Sequence, residues 1–443
     1  MMKALNGRSH LCVTEAIAKA VASPALARTA LIATYIVALR GSNVMLLIVL
    51  SHLLSLKEYG ELSAAYVIVT AGAQIVGAPL AALILRVQRS EGLEVSSRDA
   101  VLWWLAGAVP IVATGIYISH VMAFETLGYF NGPMLLLAAL WMCAMGLELM
   151  SAALAIAHGR VALLAISSIV QATMAVTVVS VAVLAVGPRG LLAIPVCGAI
   201  AGAAVVQRTV VWSSVVGGLK SWTERVRSEL NTIIAPTAMA AAVVTALSVA
   251  LVAMAAGPSA HQDIALFGIG MQIVGISTFI PQVLANSALD AGHRAAREGQ
   301  SWRKVLGRWT LLSAGVSLVF GVIVALGARA LSLAYGDAYV LSWPASLACG
   351  ALVAFLGPVN VLSHFFVMEG RQWLTAAGSF ASTVLAVTWF ALQPERSAAM
   401  MLSALLISNA FRCFVYAVYA YLRSGAGLYP EENRSKRSIK GQK

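Results

Sequence analysis

Apolar runs of about 20 residues recur along the whole chain, each closed by a short polar stretch. A run of that length matches the thickness of a bilayer, so the pattern predicts twelve membrane-spanning helices. The expected spans are about 30–54, 61–84, 100–121, 133–157, 162–186, 190–213, 233–256, 265–288, 305–328, 339–363, 373–392 and 399–422. The alternation that marks barrel strands is absent. The expected fold class is therefore all-α: a polytopic membrane protein with twelve transmembrane helices in two pseudo-symmetric six-helix lobes around a central cavity. On this division residues 1–29 are an N-terminal cytoplasmic tail and 30–214 the N-lobe. Residues 215–232 are a basic cytoplasmic linker, 233–422 the C-lobe and 423–443 a basic C-terminal cytoplasmic tail. Pro281 lies inside the eighth span and predicts a kink there.

Composition supports this class. Of the 443 residues, 60% are hydrophobic and 11% charged, whereas soluble domains carry about 25% charged residues. The net charge of +12 does not point to nucleic acid, because the basic residues sit in short loops and tails. With an even number of spans both termini share one side. That side receives 24 of the 30 Lys and Arg, the opposite side receives 4, and Arg40 and Arg412 fall within spans. The positive-inside rule then places both termini in the cytoplasm. The five cysteines have no metal-ligand or redox spacing, and no phosphate-binding glycine loop is present, so neither a metal nor a cofactor is expected. The outward loops are short and carry no catalytic constellation, which disfavours an enzyme.

The chain also repeats itself. At an offset of 208, Gly60, Thr70, Gln74, Arg86 and Arg89 match Gly268, Thr278, Gln282, Arg294 and Arg297. At an offset of 211, Gly159-Arg160 matches Gly370-Arg371, and Ser168 and Ala175 match Ser379 and Ala386. Two halves of equal topology are related by an axis along the membrane normal, and the cleft between them is the natural transport path.

A few polar residues stand out against this apolar background. Arg40 lies near the middle of the first span and shares a helix face with Asn43 and Ser51. A guanidinium at that depth costs about 3 kcal/mol on insertion scales, so the face is expected to look inward and to hold a phosphate or other anion. Its counterpart at offset 208 is Ser248, so the charge is not shared by the two halves. A structural partnership of Arg40 with Glu148 or with backbone carbonyls is the alternative. Glu148, the one acidic residue deep in a span, is the candidate for ion coupling; an ion pair with Arg40 or Arg412 is the alternative there. Arg412 is expected to reach back to the headgroups. Gln74, Gln282 and Asn286 are candidates to line the cavity against sugar hydroxyls, with glue between helices as the plainer account. Arg86 and Arg294 are candidates for the cytoplasmic mouth.

Several short stretches resemble a known family. Leu53-Leu54-Ser55-Leu56-Lys57-Glu58-Tyr59-Gly60 is similar to the turn that follows the first span of polysaccharide flippases, the Wzx-type members of the MATE-like multidrug/oligosaccharidyl-lipid/polysaccharide (MOP) exporter superfamily. Ala157-His158-Gly159-Arg160, Tyr335-Gly336-Asp337-Ala338-Tyr339 and Met368-Glu369-Gly370-Arg371 are similar as well. His52 and Leu56 depart from it, standing where the family often has Arg and Pro. The resemblance implies export of a polyprenyl-diphosphate-linked oligosaccharide from the cytoplasmic to the periplasmic leaflet, for exopolysaccharide, capsule or O-antigen, by alternating access. It assigns no catalytic residue. The expected partners are the lipid-linked oligosaccharide and membrane lipids, with a polysaccharide polymerase and export machinery as candidate protein partners and no nucleic acid. The alternatives are a MATE-like ion-coupled small-molecule exporter and, less well matched, a membrane-embedded polysaccharide polymerase or ligase.

Overall fold

The computed structural model describes residues 24–90, 93–121, 132–210, 232, 234–255 and 260–425. Among these residues every regular element is helical. The first half contributes α1 (Pro24–Leu53), α2 (Leu56–Ser90), α3 (Leu93–Val121), α4 (Gly132–Ala157), α5 (Val161–Val186) and α6 (Ala193–Thr209). The second half contributes α7 (Ala235–Ala255), α8 (His261–Ser277), α9 (Phe279–Arg297), α10 (Trp302–Ser332), α11 (Trp343–Glu369), α12 (Trp373–Ala391) and α13 (Ala398–Gly425). Short 3-10 turns join α5 to α6 (Gly187–Leu192) and α10 to α11 (Leu333–Tyr335 and Asp337–Tyr339). Eight stretches among the described residues are long and apolar enough to cross a membrane, and the bent pair α8–α9 makes up to nine. One of the eight, Val161–Thr209, is 49 residues long and contains α5, the 3-10 turn and α6. The chain is thus an all-helical, multi-pass membrane protein. Most of the 1–29 and 423–443 tails and nearly all of the 215–232 linker lie outside the described residues.

The two halves pack alike. In the first, α1 lies on α5, α2 on α4, α4 on α6, α3 on α4, and α5 on α6. In the second, α7 lies on α12, α8 and α9 on α11, α11 on α13, α10 on α11, and α12 on α13. The central helices of the two lobes, α4 and α11, are each 67% buried over their apolar windows, which fits their equivalence. The turns that follow them match in detail. Gly159 and Gly370 have φ of 70° and 68°, the left-handed region that ends a helix. The next amide closes each turn, Arg160 N donating to Ala155 O and Arg371 N to Phe366 O, both at 2.8 Å. The Arg160 side chain then reaches the carbonyl of Arg208 at the end of α6. Arg371 Nη1 reaches Tyr419 Oη at the end of α13, 3.4 Å away. Each of these pairs is offset by the same 211 residues as the sequence repeat.

The lobes meet through α2 against α7 and α8, while α1 touches α8 much more sparingly. Their common core sits at one end. The largest apolar cluster gathers the C-terminal halves of α1, α5, α7, α10 and α12 with the N-terminal halves of α2, α4, α6, α11 and α13, and with α8. This is the end away from the start of α1 and the end of α13, and it is called distal below. Here Ser51 Oγ donates to the Tyr335 carbonyl (2.9 Å) and Tyr335 Oη to Gln272 Oε1 (2.7 Å). The rings of Tyr59 and Tyr339 lie 5.0 Å apart. The backbones approach so closely that a Cβ on Gly268 would lie 2.6 Å from Ser63 Cβ, and one on Gly60 2.8 Å from the His261 carbonyl oxygen. At the proximal end the apolar clusters belong to one lobe or the other: Ile84, Leu147 and Val206 with Tyr35, Ala155 and Leu164 in the N-lobe, and Ala285, Leu306, Phe366 and Tyr416 in the C-lobe. Among the described residues, the lobes therefore share one apolar core at the distal end and keep separate cores at the proximal end, and the region between those separate cores is where the cleft expected from the repeat would lie.

Candidate functional site

Arg40 stands where the shared core gives out. Its face of α1 is fixed by neighbours on either side: Tyr35 packs into the N-lobe, and Leu46, Leu47 and Leu50 enter the shared core. The side chain crosses to the other lobe. Nη1 donates to the Gly275 carbonyl and to Thr278 Oγ1 (3.0 Å), and Nη2 donates to Gln282 Oε1. Among the described residues no carboxylate pairs with it, Glu148 included. Among the described residues its partners are thus neutral acceptors, one of them the backbone carbonyl that was one of the two structural alternatives.

Two sequence candidates, Arg40 and Gln282, are brought together across 242 residues. Gln74, the repeat-mate of Gln282, is exposed on α2. Thr70, the mate of Thr278, turns its hydroxyl onto its own helix, at Tyr66 O (2.9 Å) and Val67 O (3.1 Å). Ser248, at the position equivalent to Arg40, is buried and bonds Val244 O. Each lobe therefore carries a threonine and a glutamine at matched places, and only that of the C-lobe holds an arginine. Asn43 is half-buried one turn along α1 from Arg40. The side chains of Asn286, Arg86 and Arg294 lie outside the described residues.

Glu148 occupies a separate place inside the N-lobe. Its Oε1 accepts from Gln171 Nε2 of α5. Tyr35, Ser151, Ser168 and Gln171 line a cavity beside it of about 10 Å³, room for about one water-sized particle. The carboxylate fits because α6 presents glycine to it: a Cβ on Gly198 would lie 2.4 Å from Oε1. Gln171 was not among the sequence candidates. It is a lone amide in the apolar fifth span, four residues beyond Ser167, and that polarity was the available signal. Gly275 and Thr278 likewise emerge as partners of Arg40 only through the fold. Arg412 departs from the sequence expectation. Its Nη2 donates to Asn409 Oδ1 (2.5 Å), one turn back toward the distal end, so the side chain points into the bundle and away from the proximal headgroups.

Comparison with known proteins places this architecture. No family model matches the sequence, and no curated protein matches it either. Solved structures do match. A MATE protein crystallised in complex with MaL6 superposes with a TM-score of 0.65 at 12% identity, covering 89% of this chain and 96% of that one. A MOP superfamily transporter from Pyrococcus furiosus, described as having a binding pocket of reversed polarity, gives 0.64 at 13% identity, covering 89% and 95%. The eukaryotic MATE transporter AtDTX14 gives 0.63 at 15% identity, covering 90% and 95%. The chain has the fold of MATE transporters of the MOP superfamily over nearly its full length.

Proposed function

We propose that this protein is a flippase of the bacterial inner membrane. It moves a polyprenyl-diphosphate-linked oligosaccharide from the cytoplasmic to the periplasmic leaflet for surface polysaccharide synthesis, by alternating access between its two lobes. The observation that carries this reading is Arg40: a guanidinium that reaches from one lobe to the other where the shared core ends, and whose hydrogen-bond partners among the described residues are all neutral. Such a group is free to exchange those partners for an oxyanion, to which it binds more strongly. The diphosphate sits at Arg40, the sugars extend along the cleft past Gln74, Asn43 and Asn286, and the polyprenyl chain stays in lipid, passing the sparse α1–α8 contact. Arg86 and Arg294 draw the anionic head group to the mouth. The basic proximal side is cytoplasmic, so the described conformation opens inward. Glu148, in its own N-lobe cavity, takes and releases the coupling ion.

A MATE-like ion-coupled exporter of small molecules has the same fold, and the Glu148 cavity serves either reading. The charge of Arg40 supports the first reading, since a cationic cargo calls for an acid at that place. A polymerase or ligase is the weaker alternative, for want of a catalytic constellation.

The test is complementation of a deletion strain. The wild-type gene restores surface polysaccharide, and Arg40→Ala, inserted at normal level, leaves lipid-linked repeat units accumulated in the inner leaflet. Normal polysaccharide from well-expressed Arg40→Ala cells overturns the reading.

A further inference from the structure

The two-fold scaffold is broken between α2 and its counterpart. Helix α2 runs continuously from Leu56 to Ser90, whereas its counterpart is split into α8 and α9, which meet at a bend of 46°. The cause is local. Pro281 has no N–H to offer the carbonyl of Ser277, and its ring crowds that carbonyl. Ala73 stands at the equivalent position of α2. Backbone carbonyls near a break inside a membrane need other donors. Arg40 supplies one from the opposite lobe, to the Gly275 carbonyl. One guanidinium holds the Gly275 carbonyl on α8, the Thr278 hydroxyl in the break and the Gln282 amide oxygen on α9. Thr278 Oγ1 adds a bond to the same Gly275 carbonyl at 2.9 Å. Arg40 therefore spans the bend and ties both of its arms to α1.

These acceptors present the guanidinium with what a diphosphate would present, oxygens in a fork, but without charge. Nη1 and Nη2 cannot serve both sets at once, because a bidentate oxyanion takes the same pair of N–H groups. We propose that the Gly275 carbonyl, Thr278 and Gln282 are stand-in ligands that an anionic head group displaces from Arg40. Their displacement unties α1 from α8–α9 and lets the bend open, so cargo binding is itself the trigger for movement of the lobes. Gln282 is then a positioning residue: it keeps Arg40 extended across the cleft while the site is empty and sets how readily an anion can take its place. The inference rests on the reading of Arg40 as the anion site.

The test uses full-length, cysteine-free protein in lipid nanodiscs with spin labels at the exposed positions Gln262→Cys and Glu298→Cys, and inorganic pyrophosphate as the probe. At 1.5 Å per residue the two arms are about 22 and about 28 Å long, so full straightening lengthens the label separation by about 4 Å. The expected result is saturable pyrophosphate binding with a lengthening of about 2–4 Å at saturation. Gln282→Glu replaces the neutral stand-in by a charged one. It is expected to weaken pyrophosphate binding by about tenfold or more and to hold the separation at its unliganded value at wild-type saturating concentrations. Binding with an unchanged distance, or wild-type binding by Gln282→Glu, overturns the displacement mechanism and leaves the anion site standing. Wild-type protein that binds no pyrophosphate overturns the anion site and the mechanism together.

Discussion

The backbone contact at the distal end offers a sharp perturbation. In Gly268→Ala the new methyl group meets Ser63 Cβ at 2.6 Å, well inside van der Waals contact. Ser63 lies on the other lobe, so the clash exists only while the lobes are closed at this end. Overpacking of this kind costs about 1–3 kcal/mol, which multiplies the population open at this end by about 5-fold to 150-fold. A cysteine at Ser51, buried there against the Tyr335 carbonyl, reports the opening as its rate of labelling by a hydrophilic maleimide in detergent. Cys12, Cys349 and Cys413 are replaced for this purpose. Cys197, a member of the shared distal core, is replaced too, and Cys143, buried between α3 and α4 of the N-lobe, remains as a control that stays unlabelled unless the lobe itself unfolds. Ser63→Gly removes the atom that is struck, so the double variant Ser63→Gly/Gly268→Ala is expected to return to the slow rate. An unchanged rate in Gly268→Ala, or a fast rate that Ser63→Gly does not reverse, refutes the closed-end interpretation.

Two further outcomes are expected. Gly198→Ala places a methyl group 2.4 Å from Glu148 Oε1 and displaces the carboxylate from Gln171; transport measured against pH is expected to lose its pH dependence while pyrophosphate binding at Arg40 is retained. Gly370→Ala puts a side chain at φ 68° and costs about 1–2 kcal/mol, seen as a lower thermal unfolding midpoint, with Gly370→Asn intermediate because asparagine tolerates that region better.

Much of the architecture was legible because a bilayer writes itself into sequence as length and hydrophobicity. The helices lie where the apolar runs lie, and the Gly-Arg repeat at residues 159 and 370 marks the same turn in both lobes. Pro281 announced the bend. What was not legible was mostly long-range or amphipathic. Helix α2 extends to Ser90, past the apolar run that ends near 84, because the extension carries charge that hydropathy discounts. Arg40 was visible as an expensive residue in an apolar run. Its partners Thr278 and Gln282 were visible only as polar residues 238 and 242 positions away, and nothing in local periodicity joins them. The same holds for Glu148 and Gln171, which lie on neighbouring helices with no fixed spacing to reveal them. Nor does a sequence disclose which end of a two-lobed scaffold is shut.

The shut end has a thermodynamic consequence. It is a largely apolar interface shared by both lobes, so opening it transfers hydrocarbon surface to water, and such exposure raises heat capacity. The balance between the two access states is then curved in temperature, and warming alters the enthalpy of switching as well as its rate. An Arrhenius plot of export is expected to bend even where membrane and protein remain intact, and a variant that makes the distal interface more polar is expected to straighten it.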